Sequence, residues 1–339
     1  MGTTPLLAKW LLALSLLLPA QLLATTAVHS PTPAFELIVL GNSGGIEDGN
    51  LSAFLLRSVN EPNYIALDAG TLVNGINQGI KQQAFTDLAL VEDEKWARAG
   101  TILRHHVKGY LLSHAHLDHI SGMLVASPED SAKNIYALAS VNNMIGETYF
   151  NGQAWANFSD RGIPPLLNKY HIVDLPVGAP VTIDETTLKV TAFSLSHPVE
   201  STAFVLEQGD DLFVYFGDTG PDSVEKQGKL EVIWTYLAKQ VKHKRLRGMI
   251  IETSFDNARP HNLLFGHLTP ELLMQELHSF AAKIGGEAPL KDLKIVISHI
   301  KYTLARGVDP KSKIKQQLDE ANDLGLEIII PRQGQKLLF

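Results

Sequence analysis

With 339 residues, 45% of them hydrophobic and 19% charged, the chain has the make-up of a globular protein that buries a large core, which excludes the disordered and fibrous classes. A formal net charge of -7 excludes a general nucleic-acid binder, so an anionic ligand has to be met by positive charge placed locally. Zero cysteines exclude disulfides, a lipoprotein anchor and thiolate metal ligands.

In chain order, Lys9 is followed by an apolar run from Trp10 to Leu18, then Pro19 and the small residues up to Thr25, Thr26 and Ala27. This layout predicts a secretory signal peptide over residues 1–27, cut after Ala24 or Ala27, and hence a periplasmic or secreted protein with no stable membrane anchor. Residues 28–339 are expected to form one domain, because no linker, repeat or low-complexity tract divides them. Phe35–Leu40 reads as a strand and leads to the glycine-rich loop Gly41-Asn42-Ser43-Gly44-Gly45. Leu51–Ser58 and Tyr64–Leu67 are further strands, the latter stopping at Asp68-Ala69-Gly70. In isolation Asp68 is a turn residue; ahead of a histidine cluster it is also a candidate partner for a ligating imidazole.

Residues Ile80–Arg104 have helical composition and lead into a buried strand over Lys108–Leu112. There the chain reads Ser-His-Ala-His-Leu-Asp-His-Ile-Ser-Gly from Ser113 to Gly122, which packs His114, His116, Asp118 and His119 where a strand gives way to a loop and a helix. Side chains so placed converge on a cleft. Imidazole and carboxylate suit zinc and similar divalent ions, and several at short spacing serve two adjacent metals. Gly122–Ser140 reads as a helix then a strand, and Asn151–Leu167 as an irregular loop beside the cleft. Trp155 and Phe158 in that loop either pack or offer a platform to a flat ring, with packing favoured.

Strands over Val181–Ile183 and Leu188–Phe193 bring His197 just past a strand end. Thr202–Leu206 and Leu212–Phe216 form a hairpin about Gln208-Gly209-Asp210-Asp211 and close on Gly217-Asp218-Thr219-Gly220, whose glycines let Asp218 approach a metal. Each residue alone reads better as an incidental histidine or a capping aspartate; with the first cluster they complete a ligand set. Helix Lys229–Lys242 and strand Arg247–Ile251 precede Glu252 and a loop through Arg259 to Gly266-His267-Leu268-Thr269-Pro270. Thr269 and Pro270 cap the helix Glu271–Ala282, and the strand Leu293–Ser298 delivers His299, with Lys301 two residues on. Helix Ile314–Leu324 and strand Leu326–Ile330 close the chain. Ligands only at strand ends predict sheets covered by helices, with one cleft along their edge.

The run His114-Ala115-His116-Leu117-Asp118-His119 resembles the signature of the metallo-β-lactamase superfamily. More narrowly, His114–Pro128, with Leu117, Gly122 and Ser127-Pro128 in place, is similar to the signature of class II cyclic-nucleotide phosphodiesterases. Asp68-Ala69-Gly70-Thr71, Gly217–Gly220, Gly266–Pro270 and Ser298-His299-Ile300-Lys301 also resemble that family's blocks. The resemblance implies an α/β fold, a metallo-β-lactamase-like αββα sandwich of two mixed β-sheets flanked by helices. It implies two divalent metal ions, with zinc expected: one on His114, His116 and His197, the other on Asp118, His119 and His299, with Asp218 bridging and Asp68 orienting ligands. The implied reaction is hydrolysis of a 3′,5′-cyclic nucleotide, cAMP to 5′-AMP foremost, by a hydroxide held between the metals. Catalysis then falls to Asp118, His267 and Glu252, the last two resembling the pair that protonates the leaving oxygen in RNA-processing members of the superfamily. The bland alternative for His267 is a buried residue that fixes a helix start.

Motif order suggests Arg259 and Lys301 for phosphate and Trp155 or Phe158 for the purine. Proline and glutamate stand at Pro198 and Glu200, where glycine is expected in relatives. The expected partner is a small-molecule cyclic nucleotide, not a nucleic-acid polymer, and the oligomeric state is open, a homodimer among the options. Two other functions compete: another hydrolase of the superfamily, such as an esterase, thioesterase or lactonase, and a non-catalytic periplasmic metal- or nucleotide-binding protein. The Ser121–Pro128 and Gly266–Pro270 resemblances weigh against the first, and a complete set bridged by Asp218 against the second.

Overall fold

Short apolar runs bounded by glycine or polar turns become strands here because both faces of each central strand are covered. The computed structural model describes residues 1–2, 32–59, 61–89 and 95–339, so the signal-peptide reading over 1–27 lies outside the described residues, Met1 and Gly2 apart. The chain divides into Met1–Ser30 and a compact unit, Pro31–Phe339.

The elements of the compact unit are, in order, β1 (Phe35–Gly41), β2 (Ser43–Gly44), β3 (Ala53–Ser58), β4 (Tyr64–Leu67), α1 (Val73–Lys81), α2 (Arg98–Thr101), β5 (Val107–Leu111), α3 (Leu117–Ala126), β6 (Lys133–Ala137), α4 (Ala139–Thr148) and β7 (Tyr170–Asp174). The second half contributes β8 (Pro180–Thr182), β9 (Lys189–Leu195), β10 (Ser201–Gln208), β11 (Asp211–Phe216), α5 (Asp222–Glu225), α6 (Lys229–Gln240), β12 (Arg245–Glu252), α7 (Pro270–Lys283), β13 (Lys294–Ser298), β14 (Ile300–Lys301), α8 (Pro310–Ala321), β15 (Glu327–Ile329) and β16 (Lys336–Leu338). One seven-stranded sheet runs β16-β1-β3-β4-β5-β6-β7, the other β15-β13-β12-β11-β10-β9-β8. Both are mixed: β1, β3 and β4 pair antiparallel and β4 to β7 parallel, while β8 to β11 pair antiparallel and β11, β12, β13 and β15 parallel. β14 pairs with β2 and ties the two halves together at one edge.

Residue alternation along the second sheet shows how the layers form. Phe204, Leu206, Phe213, Tyr215, Ile250 and Val296 join the core of the first sheet, whereas their neighbours Val205, Val214, Met249, Ile251, Ile295 and Ile297 pack with α6, α7 and α8. On the far side of the first sheet, Ile76 of α1, Ile120 and Met123 of α3, and Ile145 of α4 belong to the shared core. The expected αββα sandwich is therefore present. No described helix is long and apolar enough to cross a membrane.

Three expectations change. The helical stretch expected over Ile80–Arg104 is not one helix: α1 starts earlier, at Val73, and turns follow it before α2 and a π-helical turn over Ile102–His106. The helix expected from Gly122 begins at Leu117, because His116 takes an extended conformation and serves as its N-cap. This puts Asp118 and His119 in a first turn, where their side chains are rigidly aimed. Strand β16, too short to announce itself, returns antiparallel to β1.

Phe204 is fully buried between the sheets and stacks on Tyr215 with an interplanar angle of 8°. Phe204→Ala removes a large ring from a site with little room to collapse, so urea unfolding should show a loss of about 3–5 kcal/mol.

Candidate active site

Seven ligand-type side chains arrive from strand ends and one helix turn at a single edge of the sandwich. His114 and His116 lie on the loop after β5, Asp118 and His119 in the first turn of α3, His197 after β9, Asp218 after β11 and His299 after β13. His299 has φ 57° and Asp68, at the end of β4, has φ 53°, a region uncommon for residues other than glycine and typical of sites where the fold over-determines the backbone. Two glycines explain the surrounding motifs. A Cβ on Gly44 would lie 2.5 Å from the His299 ring, and Gly266, at φ 73°, would carry one 2.9 Å from His197.

The ligand atoms fall into two groups. Nε2 of His114 is 3.0 Å and Nε2 of His197 3.3 Å from Nδ1 of His116. Nε2 of His299 is 3.1 Å from both Asp118 Oδ2 and Asp218 Oδ2, and His119 Nε2 is 3.3 Å from Asp218 Oδ1. Asp218 lies between the groups, its Oδ2 also 3.8 Å from His114 and from His197. Groups able to hold a metal include His114, His116 and His197 together, and Asp118, His119 and His299 together.

The far side of each ring decides which nitrogen is free. His197 donates from Nδ1 to the Gly266 carbonyl at 2.9 Å. His119 donates from Nδ1 to Asp68 Oδ2 at 2.6 Å. His114 Nδ1 faces Ser113 Oγ at 3.0 Å, and His299 Nδ1 faces Ser254 Oγ at 2.9 Å. His197 and His119 are thus left with Nε2 on the side of the cluster, and Nε2 of all four rings lies against carboxylate oxygens or other ring nitrogens. His119 Nε2 is buried and, among the described residues, without a hydrogen-bond partner. Converging acceptors with no donor repel, so this donor set fits a pair of divalent cations.

The electrostatics agree. Burial holds the imidazolium form of His114 well below its ordinary range, pushes His197 down to about 4, and lowers His116 and His299, so all four are neutral and able to ligate. Burial works against the charged form of His119 too, but Asp218 and Asp68 outweigh it and raise its affinity for a proton; a cation bound at Nε2 would take that proton's place. Burial would raise Asp118 and Asp218, yet the imidazoles packed around them, His299 and His119 first, keep both well below the usual carboxylate range.

Beside this set lies a second arrangement. His267 Nδ1 donates to Glu252 Oε1 at 2.8 Å, its ring stacks on His299 with centroids 5.2 Å apart, and Nδ1 is 3.8 Å from Asp218 Oδ2. Glu252 is fully buried at the end of β12 and also accepts from Thr219 N, Ser254 Oγ and Leu268 N. It faces protein on all sides, and its link to the edge of the ligand set is His267. Thr269 accepts from Leu272 N and caps α7 as expected.

The comparisons with known proteins agree with this geometry. The family model of class-II cAMP phosphodiesterases matches residues 35–334. The chain belongs to that family. It is 45% identical over 94% of its length to a 3′,5′-cyclic-nucleotide phosphodiesterase of Aliivibrio fischeri, covering 96% of that protein. It is 39% identical to a probable 3′,5′-cyclic-nucleotide phosphodiesterase of Yersinia pestis, over 91% of this chain and 90% of that one. The crystal structure of unliganded yeast PDE1 shares the fold, with a TM-score of 0.80 at 22% identity over 91% of this chain and all of that one.

Within this class-II phosphodiesterase the outlying residues fall in different places. Lys301 reaches the site, its Nζ 3.9 Å from Asp118 Oδ2. Arg259 stands one layer out, its guanidinium 4.4 Å above the Phe255 ring that itself packs edge-on against His267. Trp155 donates to Ser127 Oγ at 2.9 Å; Ser127 caps the opposite end of α3 from His116, roughly 16 Å away at the helical rise. Phe158 packs against Phe150. Neither aromatic is brought to the ligand cluster by these contacts. Pro198 packs close to Gly266, and Glu200 accepts from Ser194 at 2.6 Å and from Ser140, so the residues that differ from the family pattern fasten the His197 loop.

Asp68 accepts from His119 Nδ1 and from Ser113, which donates to it from both N and Oγ at 2.6 Å. Tyr215 also donates to Asp68, a contact that an inward-facing hydroxyl in an otherwise apolar strand could have signalled. Gly266→Ala should displace His197 and weaken metal binding about 10- to 100-fold, as metal titration of the stripped protein will show.

Proposed function

We propose that this phosphodiesterase hydrolyses 3′,5′-cAMP to 5′-AMP with two divalent cations, zinc foremost, held by His114, His116 and His197 and by Asp118, His119 and His299, with Asp218 between them. The single observation that carries the reading is the convergence of buried imidazole nitrogens from both sheets on Asp218, with His267 beside them. Cations bound there supply positive charge to the phosphoryl oxygens and acidify a water to near neutral pKa.

The protein's own residues do the rest. Water oxygen attacks phosphorus in line, the bond from phosphorus to O3′ breaks, and O3′ needs a proton as the ring opens. His267 supports the role of donor because Glu252, although burial acts against the imidazolium, raises its proton affinity through a direct hydrogen bond at Nδ1, leaving Nε2 free. Glu252 positions that ring and is kept ionised by His267 against the effect of burial. Lys301 beside Asp118 adds a cation at the phosphate side of the cleft.

Incubating purified protein with 3′,5′-cAMP should release 5′-AMP, with about two metals per chain, and both should be lost in His116→Ala. Hydrolysis of esters or lactones with cAMP left intact would replace the substrate assignment. His267→Ala should lower kcat for cAMP by about 10²- to 10⁴-fold with metal content retained.

The leader-like layout of residues 1–27 and the absence of cysteine support export to the periplasm or beyond. Amino-terminal sequencing of the protein recovered from a periplasmic extract should then start at residue 25 or 28; recovery of an uncut chain from the cytosol would reverse this assignment.

A further inference from the structure

Two buried hydroxyls occupy equivalent places on the two sheets. Ser113, after β5, donates to Asp68 Oδ2 at 2.6 Å and faces His114 Nδ1 at 3.0 Å. Ser254, after β12, donates to Glu252 Oε2 at 2.6 Å and faces His299 Nδ1 at 2.9 Å. In both, the same carboxylate takes the Nδ1 proton of a second histidine directly: His119 on Asp68, His267 on Glu252. The difference is in what that second histidine does. His119 is a ligand; His267 is the proton donor of the proposed reaction. Glu252 and Ser254 therefore stand between a metal site and a proton site.

We infer that Ser254 is a positioning residue that couples the two: it fixes His299 as a metal ligand and, through Glu252, fixes His267 as the proton donor. This rests on the two-metal phosphodiesterase reading. A serine hydroxyl has one proton and two lone pairs. Of the acceptors in reach, Glu252 Oε2 at 2.6 Å is nearer than the His299 carbonyl at 3.1 Å, so the proton goes to Glu252. Oγ then can only accept from His299, which puts the imidazole proton on Nδ1 and the lone pair on Nε2, 3.1 Å from Asp118 Oδ2 and Asp218 Oδ2. His267 Nδ1, 3.2 Å from the same Oγ, is denied the serine as a donor and is left to give its own proton to Glu252 Oε1 at 2.8 Å. The hydroxyl is 1% exposed as a residue, so water cannot stand in for it without rearrangement. Removing it leaves a buried N–H on His299 unpaired and takes one of four donors from Glu252.

The test is Ser254→Ala, read in three ways. Zinc titration of the metal-stripped protein should show one ion bound at least about tenfold more weakly and the other little changed. At saturating zinc, kcat for 3′,5′-cAMP should fall at least about tenfold, while turnover of bis-p-nitrophenyl phosphate, whose leaving group needs no proton, should hardly change. Circular dichroism of the stripped variant checks folding. If the variant does not fold, long-range ¹H–¹⁵N correlation on zinc-loaded wild type decides: His299 must carry its proton on Nδ1, and a proton-free Nδ1 overturns the proposal. Equal losses on the two phosphodiesters, or unchanged zinc affinity, also overturn it. Wild type that cleaves bis-p-nitrophenyl phosphate but not cAMP would instead overturn the substrate reading, leaving the zinc titration and the His299 proton to judge Ser254.

Discussion

Mutual repulsion among buried lone pairs is the constraint on which this structure depends. Asp218 is almost fully buried, and its two oxygens look onto the imidazole nitrogens of His114, His119, His197 and His299. A protein interior tolerates such a cluster only with a charge of opposite sign at its centre. The rest of the fold is the apparatus that holds these groups together against their own preference to separate. Two hydrophobic cores do the holding, one between the sheets and one beneath α6, α7 and α8.

Strand ends make the arrangement economical. β4, β5, β9, β11, β12 and β13 deliver Asp68, His114, His197, Asp218, Glu252 and His299 to one edge, and parallel pairing of β4 with β5 and of β11, β12 and β13 puts those ends side by side. Outside the ligands lies a ring of carboxylates and hydroxyls that sets each tautomer. Asp68 serves the first sheet and Glu252 the second, each holding one histidine by its Nδ1, His119 and His267 in turn.

Much of this is legible in the sequence where chemistry and spacing coincide. The block from His114 to His119 marks itself, since histidines and an aspartate at such spacing after an apolar strand have few other uses. His197, Asp218 and His299 become legible only as members of a set, each being ambiguous alone. What escapes is whatever depends on tertiary neighbours. Ser113 and Ser254 are small residues beside the ligand motifs, and nothing local says that their hydroxyls face a carboxylate on one side and an imidazole on the other. Motif order links Trp155 to the cleft, but its indole is engaged at the opposite end of α3. Helix α4 and strand β7 do not stand out because the stretch Ala139–Asp174 mixes polar residues and glycine with apolar ones at no clean period. Glu252 reads as a direct participant in proton transfer and proves to be enclosed, which only burial reveals.

The return of β16 to the first sheet has a bearing on how the molecule is made. Leu37 on β1 finds its neighbour in Leu337, so one edge of that sheet lies open during translation until β16 itself has been made. The same edge is apolar, with Phe35, Leu37 and Val39 all fully buried in the finished protein. A nascent chain in that state resembles an unsealed β-ribbon, prone to pair with its neighbours on a polysome. Timely closure by β16 is then a safeguard against aggregation as much as a contribution to stability.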